Sequence, residues 1–132
     1  MLLRNLCFKI TTSIERNTHC LMFGLKKKAD HLIDEDSLRE LIQQNKKVNI
    51  IDVRTPMEYR PEHINPCNNV DVRDKEFKNK IKYFEKDKSY ILYCANGKRS
   101  NKARKIMNTI GFDDVRVLEG GLNKWLGPLK VK

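Results

Sequence analysis

The sequence predicts an α/β fold: a central parallel sheet of about five strands, flanked by helices on both faces, in a single domain. Three observations predict it. Short apolar runs rich in β-branched residues, such as "KVNIIDV" (47–53) and "SYILYC" (89–94), have the near-continuous hydrophobicity of strands buried on both sides. Between them lie segments whose apolar residues recur at helical spacing. Strand and helix signals alternate along the chain, with no internal repeat and no long linker.

The elements follow in order. "HLI" (31–33) is a short extended piece. "DEDSLRELIQQN" places Leu38, Leu41 and Ile42 on one helical face, with Asp34 or Asp36 as the cap and acids in the first turn, where the helix end is positive. "KVNIIDV" is a buried strand. "TPMEY" (55–59) opens a helix: Thr55 caps, Pro56 takes the first helical position and Glu58 completes a capping box. "NPCNNVDV" (65–72) is a turn followed by a brief extended stretch. "KEFKNKIKYF" (75–84) sets Phe77, Ile81 and Phe84 at helical spacing. "SYILYC" is the second apolar strand, with Cys94 its last residue. "SNKARKIMNTIGF" (100–112) is an amphipathic helix with Ala103, Ile106, Met107 and Ile110 inward and Gly111 beyond its end. "VRVLEGG" (115–121) is a strand and turn, and "LNKWL" a last helical turn or two carrying Trp125.

The chain has 132 residues, enough for one core of ordinary size. It divides into a basic N-terminal extension (1–28), the α/β domain (29–127) and a short tail (128–132). The net charge is +10. Residues 1–28 hold six Lys/Arg against Glu15 alone, and so carry half of the excess. The remainder reads as a solvated, lysine-rich surface. The extension fits an upstream extension without an enzymatic role, since Met22 is a natural start for a compact domain. A targeting presequence, basic and poor in acids, is the alternative. The expected location is accordingly cytoplasmic, or an organelle if 1–28 is a presequence. No stretch approaches the roughly 20 apolar residues of a membrane-spanning helix. Cys7, Cys20, Cys67 and Cys94 have no paired spacing, so neither a zinc site nor a disulfide framework is expected. No basic platform interleaved with aromatics appears, which excludes the commonest nucleic-acid surface.

"YCANGKRS" (93–100) carries the chemistry. In open α/β sheets, ligands lie at the carboxyl ends of the strands. Here a strand delivers Cys94 to a loop that leads into a helix N-terminus, whose unpaired N–H groups and positive end favour an anion. Gly97 permits a tight turn with successive N–H groups pointing inward. Lys98 and Arg99 add full charges. The nearest anion for this cradle is the Cys94 thiolate, which makes Cys94 a candidate nucleophile. The bland reading is a small buried thiol ending a strand. The adjacent Gly-Lys-Arg-Ser run weighs against it. Arg99 stands five residues after Cys94, one fewer than in the cysteine-dependent phosphatases. The shorter loop suits a sulfur on the cysteine better than a whole phosphate.

Three stretches, in order, resemble the rhodanese-like sulfurtransferases. "IIDVRTPMEYRPEHI" is similar to that family's D-V-R-x-x-x-E-[YF]-x-x-x-H-I, "YCANGKRS" to its active-site loop C-x-x-G-x-R-S, and "VLEGGLNKW" to its closing L-x-G-G-x-x-x-W. Glu62 and "NPCNNV" depart from the family's usual small residues. The resemblance implies a single rhodanese domain without metal or organic cofactor. It implies that Cys94 takes the outer sulfur of a small anionic donor such as thiosulfate, or of a protein or low-molecular-weight persulfide, and holds it as a persulfide. A thiol acceptor, or cyanide in an assay, then removes it. Ala95, Asn96, Gly97, Lys98, Arg99 and Ser100 form the anion-binding loop, with Lys98 and Arg99 attracting the donor and Arg99 also bracing the loop. Asp52 and Arg54 read as a supporting ion pair, Glu58 as a cap, and His63 and Cys67 as structural. The competing function is a non-enzymatic binding or redox-sensing module built on the same domain.

Overall fold

The computed structural model describes residues 30–132; the predicted N-terminal extension and its two cysteines lie outside the described residues. The chain runs β1 (Leu32–Ile33), α1 (Glu35–Gln43), β2 (Asn49–Asp52), α2 (Pro56–Tyr59), β3 (Glu62–His63), β4 (Asn68–Asn69), α3 (Phe77–Ile81), β5 (Ser89–Tyr93), α4 (Lys98–Thr109) and β6 (Asp114–Leu118). A 3₁₀ turn (Gly121–Lys124) and β7 (Lys130–Val131) complete it. Five strands form one parallel sheet in the order β1-β6-β5-β2-β4.

The alternation along the central strands builds two half-cores. On β5, Tyr90 and Leu92 face one side, and Ile91 and Tyr93 the other. The first side packs against Phe77 and Ile81 of α3 and Ala103 and Met107 of α4. The second packs against Leu38 of α1, with Ile64 and Trp125. Period two then sends Cys94, the residue after Tyr93, to the α3/α4 side.

Local signals act as read at two helix starts. Asp34 accepts from the Ser37 N–H at 2.7 Å, and Thr55 and Glu58 form a reciprocal capping box. Two boundaries differ from the sequence reading. Strand β5 ends at Tyr93, leaving Cys94 just past it, and α4 begins at Lys98 rather than Ser100. Gly97 accounts for the early start: at φ +97° it is the cap, and its carbonyl accepts from the Asn101 N–H at 3.0 Å. The tail also does more than trail away. Strand β7 pairs antiparallel with β3, joining Glu62 to Val131 and His63 to Lys130. The Asn65–Pro66 bond is cis. Among the described residues, no helix is long and apolar enough to cross a membrane.

Candidate active site

The site is assembled where β5 ends and α4 begins. Cys94 is fully buried. Its Sγ accepts from the Gly97 N–H at 3.0 Å and lies 3.5 Å from the Ser100 hydroxyl. The same hydroxyl lies 3.0 Å from the Gly97 carbonyl, so its single proton has two acceptors within reach and turns to Sγ when Cys94 is ionised. Asn96 closes the turn from outside, its Oδ1 accepting from the Lys98 N–H at 3.1 Å.

These contacts decide the state of the thiol. Burial is the largest influence and pushes its pKa up, because a thiolate loses water. The Ser100 hydroxyl opposes it, followed by the backbone N–H groups of Ser100, Gly97 and Asn96. Together they win, and Cys94 lies below the ordinary thiol value. The other described cysteine shows the opposite balance. Cys67 packs on the far side of the sheet, and burial pushes its thiol up to about 11. It lies 3.6 Å from the Tyr93 hydroxyl and belongs to a different half-core from Cys94.

The two loop cations have different settings. Lys98 is exposed on the first turn of α4. Arg99 reaches back to Glu58 in a two-pronged ion pair, with contacts of 2.7 and 2.9 Å. Glu58 is thus more than a cap. It accepts from the Thr55 N–H and hydroxyl, and the Arg99 guanidinium is the chief reason its pKa falls to about 2. The pair ties α2 to the loop across 41 positions of sequence.

A second strap comes from the Gly-Gly turn. The Leu122 N–H donates to the Cys94 carbonyl at 2.8 Å, and the Asn123 N–H to the Ala95 carbonyl at 2.9 Å. Gly121, at φ +61°, makes this approach possible, since a Cβ there would stand 2.4 Å from the Cys94 oxygen. Gly121, Leu122 and Asn123 were not singled out from sequence as site residues. The Gly-Gly pair before Trp125 was the available signal.

Asp52 and Arg54 lie buried at the end of β2. The Arg54 guanidinium binds the Asp52 carboxylate at 2.8–3.1 Å and donates to the Glu62 carbonyl at 2.8 Å. They fasten β2 to the start of β3 and make no contact with Cys94 among these bonds. His63 stacks on Tyr59, ring centroids 3.9 Å apart, with Nδ1 2.9 Å from the Tyr59 carbonyl. Among the described residues, no group of three or more His, Cys, Asp or Glu could hold a metal.

A parallel α/β sheet that ends one strand at a buried cysteine inside a turn of N–H donors defines the class: an α/β domain with a cysteine-centred anion cradle. Comparison with known proteins narrows the class. Residues 34–127 match the Rhodanese-like domain model. The chain is 32% identical over 103 residues to the thiosulfate:glutathione sulfurtransferase of Saccharomyces cerevisiae, covering 70% of this chain and 74% of that one. It is 33% identical over 100 residues to the putative sulfurtransferase YtwF of Bacillus subtilis, covering 76% and 94%. The crystal structure of a rhodanese-like domain protein from Staphylococcus aureus superposes with a TM-score of 0.67 at 30% identity, over 76% of this chain and 97% of that one. The chain belongs to the rhodanese-like domain family.

Proposed function

We propose that the protein is a sulfurtransferase of the thiosulfate type that works through a persulfide on Cys94. The carrying observation is the Cys94 sulfur itself: it is buried, yet it accepts from the Gly97 N–H at 3.0 Å and lies 3.5 Å from the Ser100 hydroxyl, contacts that favour its anionic form. Sulfurtransferase-named relatives support the class.

The first step is attack of the Cys94 thiolate on the outer sulfur of thiosulfate. A sulfur–sulfur bond forms to Cys94, the bond between the two donor sulfurs breaks, and sulfite leaves with the electron pair. The persulfide keeps the negative charge on its terminal sulfur, where the same N–H donors stabilise it. In the second step, an acceptor thiolate attacks that sulfur. The acceptor leaves as a persulfide and Cys94 returns as thiolate. Cyanide in the same role leaves as thiocyanate. Because Glu58 already answers the Arg99 charge, we assign attraction of the donor to Lys98 and the α4 N-terminus, and bracing of the loop to Arg99.

The test is intact mass after incubation with excess thiosulfate, beside Cys94→Ser. The expected result is the gain of one sulfur atom, removed by cyanide and absent in the variant. No gain with thiosulfate or with a persulfide donor overturns the reading and favours a binding or redox-sensing module.

A further inference from the structure

Helix α4 carries more positive charge than the cradle needs. Its twelve residues, KRSNKARKIMNT, include five cations and no acid. Lys98, Lys102 and Lys105 are exposed and, at helical spacing, share one face. Among the described residues, no carboxylate pairs with any of the three; the ion pairs there belong to Arg39, Arg54, Lys80, Lys88, Arg99 and Arg116.

This arrangement works against the helix. Like charges three and four positions apart repel, and cations in the first turn oppose the positive end of the helix. Neither effect serves packing, because the buried face is made by Ser100, Ala103 and Met107. A small donor at Cys94 does not require the row either. At a rise of about 1.5 Å per residue, Lys102 lies roughly 6 Å and Lys105 roughly 10 Å along the axis from Lys98. The row begins at the cradle and runs outward, on a scale that matches an extended chain of carboxylates.

We propose that this lysine row is a docking track for an acidic protein segment that brings the sulfur-accepting cysteine to Cys94; the proposal rests on the sulfurtransferase reading above. A protein is favoured over a nucleic acid for two reasons. The group that must meet the Cys94 persulfide is a thiol, which a cysteine supplies. Residues 98–109 also offer no aromatic side chain on which a base could stack. In the transfer, the acceptor thiolate attacks the outer persulfide sulfur, that sulfur leaves Cys94 on the acceptor, and the Cys94 thiolate is the leaving group.

The experiment uses the full chain, a synthetic glutamate-rich peptide with one cysteine, and its counterpart with glutamine in place of glutamate. Sulfur transfer from loaded Cys94 is followed by mass, and binding by fluorescence anisotropy of the labelled peptides. The acidic peptide is expected to bind more tightly and accept sulfur faster at low salt, with the advantage lost at high salt. The double variant Lys102→Gln, Lys105→Gln should lose roughly three- to tenfold in affinity for the acidic peptide. Sulfur loading by thiosulfate monitors the fold of the variant. Equal behaviour of the two peptides, or an unchanged preference in the variant, overturns the proposal. So does tighter binding, through the same lysines, of a single-stranded oligonucleotide of equal charge. Anisotropy needs no sulfur on Cys94, so failure of the persulfide reading appears in the loading assay alone and leaves the docking result readable.

Discussion

Cys94 is set by a contest between burial and hydrogen bonding, and Ser100 is the largest contributor on the winning side. Ser100→Ala should therefore raise the thiol pKa. The rate of alkylation by iodoacetamide should fall at neutral pH, and its midpoint should move to higher pH than in the parent. An unmoved profile would assign the activation to the backbone donors alone. Glu58 makes a second residue-scale prediction. Its carboxyl titrates at about 2 in the fold against an ordinary 4.5, because it is paired with Arg99. A depressed folded pKa stabilises the fold above the ordinary value. That contribution is present above about pH 4.5 and disappears as pH falls through about 2. The Glu58 side chain is 37% exposed, so solvent screens the pair and its worth is about 1 kcal/mol or less. Glu58→Gln should lower the urea midpoint slightly at pH 7 and flatten this part of the acid profile. The cradle of donors around Cys94 was legible in sequence, since glycine, cations and serine follow it within six positions. The Glu58–Arg99 pair was not, because its partners are 41 positions apart and Glu58 already had a local explanation as a cap.

Between elements, two glycines at positive φ serve different ends. Gly97 turns the chain into α4, and a Cβ there would meet nothing within 4 Å. Gly97→Ala carries only the backbone cost of the left-handed region, about 1–2 kcal/mol. Gly121 lets the Gly-Gly turn press against the Cys94 loop, and a Cβ there would stand 2.4 Å from one backbone oxygen and 2.6 Å from another. Gly121→Ala must push the two backbones apart. Sulfur loading at saturating thiosulfate should survive the first substitution largely intact and fall at least about tenfold in the second, the scale set by small misplacements of reacting groups. Equal losses would mean that the strap from residues 122 and 123 does not position the nucleophile. Elements with local chemistry were readable at this scale: Thr55, Pro56 and Glu58 mark their helix start unaided. Strands β3 and β7 were not, because two residues each carry no period and their pairing joins positions 62–63 to 130–131. The sequence puts the start of α4 two residues late, because Lys98 and Arg99 read as loop cations and nothing local reveals the Gly97 cap.

The whole molecule is one parallel sheet with a half-core on each face, and the strand order β1-β6-β5-β2-β4 puts the loop-bearing strand β5 in the middle. Leu38 and Met107 are fully buried on opposite faces. Truncating either to alanine should cost about 2–5 kcal/mol in urea unfolding. In the double variant the costs should add within about 0.5 kcal/mol while the transition stays single, because the two sites share a sheet but no side-chain partner. Two separate transitions would mean that the faces unfold independently. The parallel sheet with helices on both faces was legible from the apolar runs and their alternation with helices. The order of its strands was not, since it depends on which runs meet in space. Trp125 is the single tryptophan of the chain, 9% exposed, and its indole N–H donates to the Pro128 carbonyl at 3.3 Å. Its own backbone N–H donates to Leu122, the residue that grips the Cys94 carbonyl. Ultraviolet emission from this protein therefore comes chiefly from one shielded chromophore two hydrogen bonds from the Cys94 loop, a built-in lamp that should report, without any label, the sulfur arrival and departure proposed for Cys94.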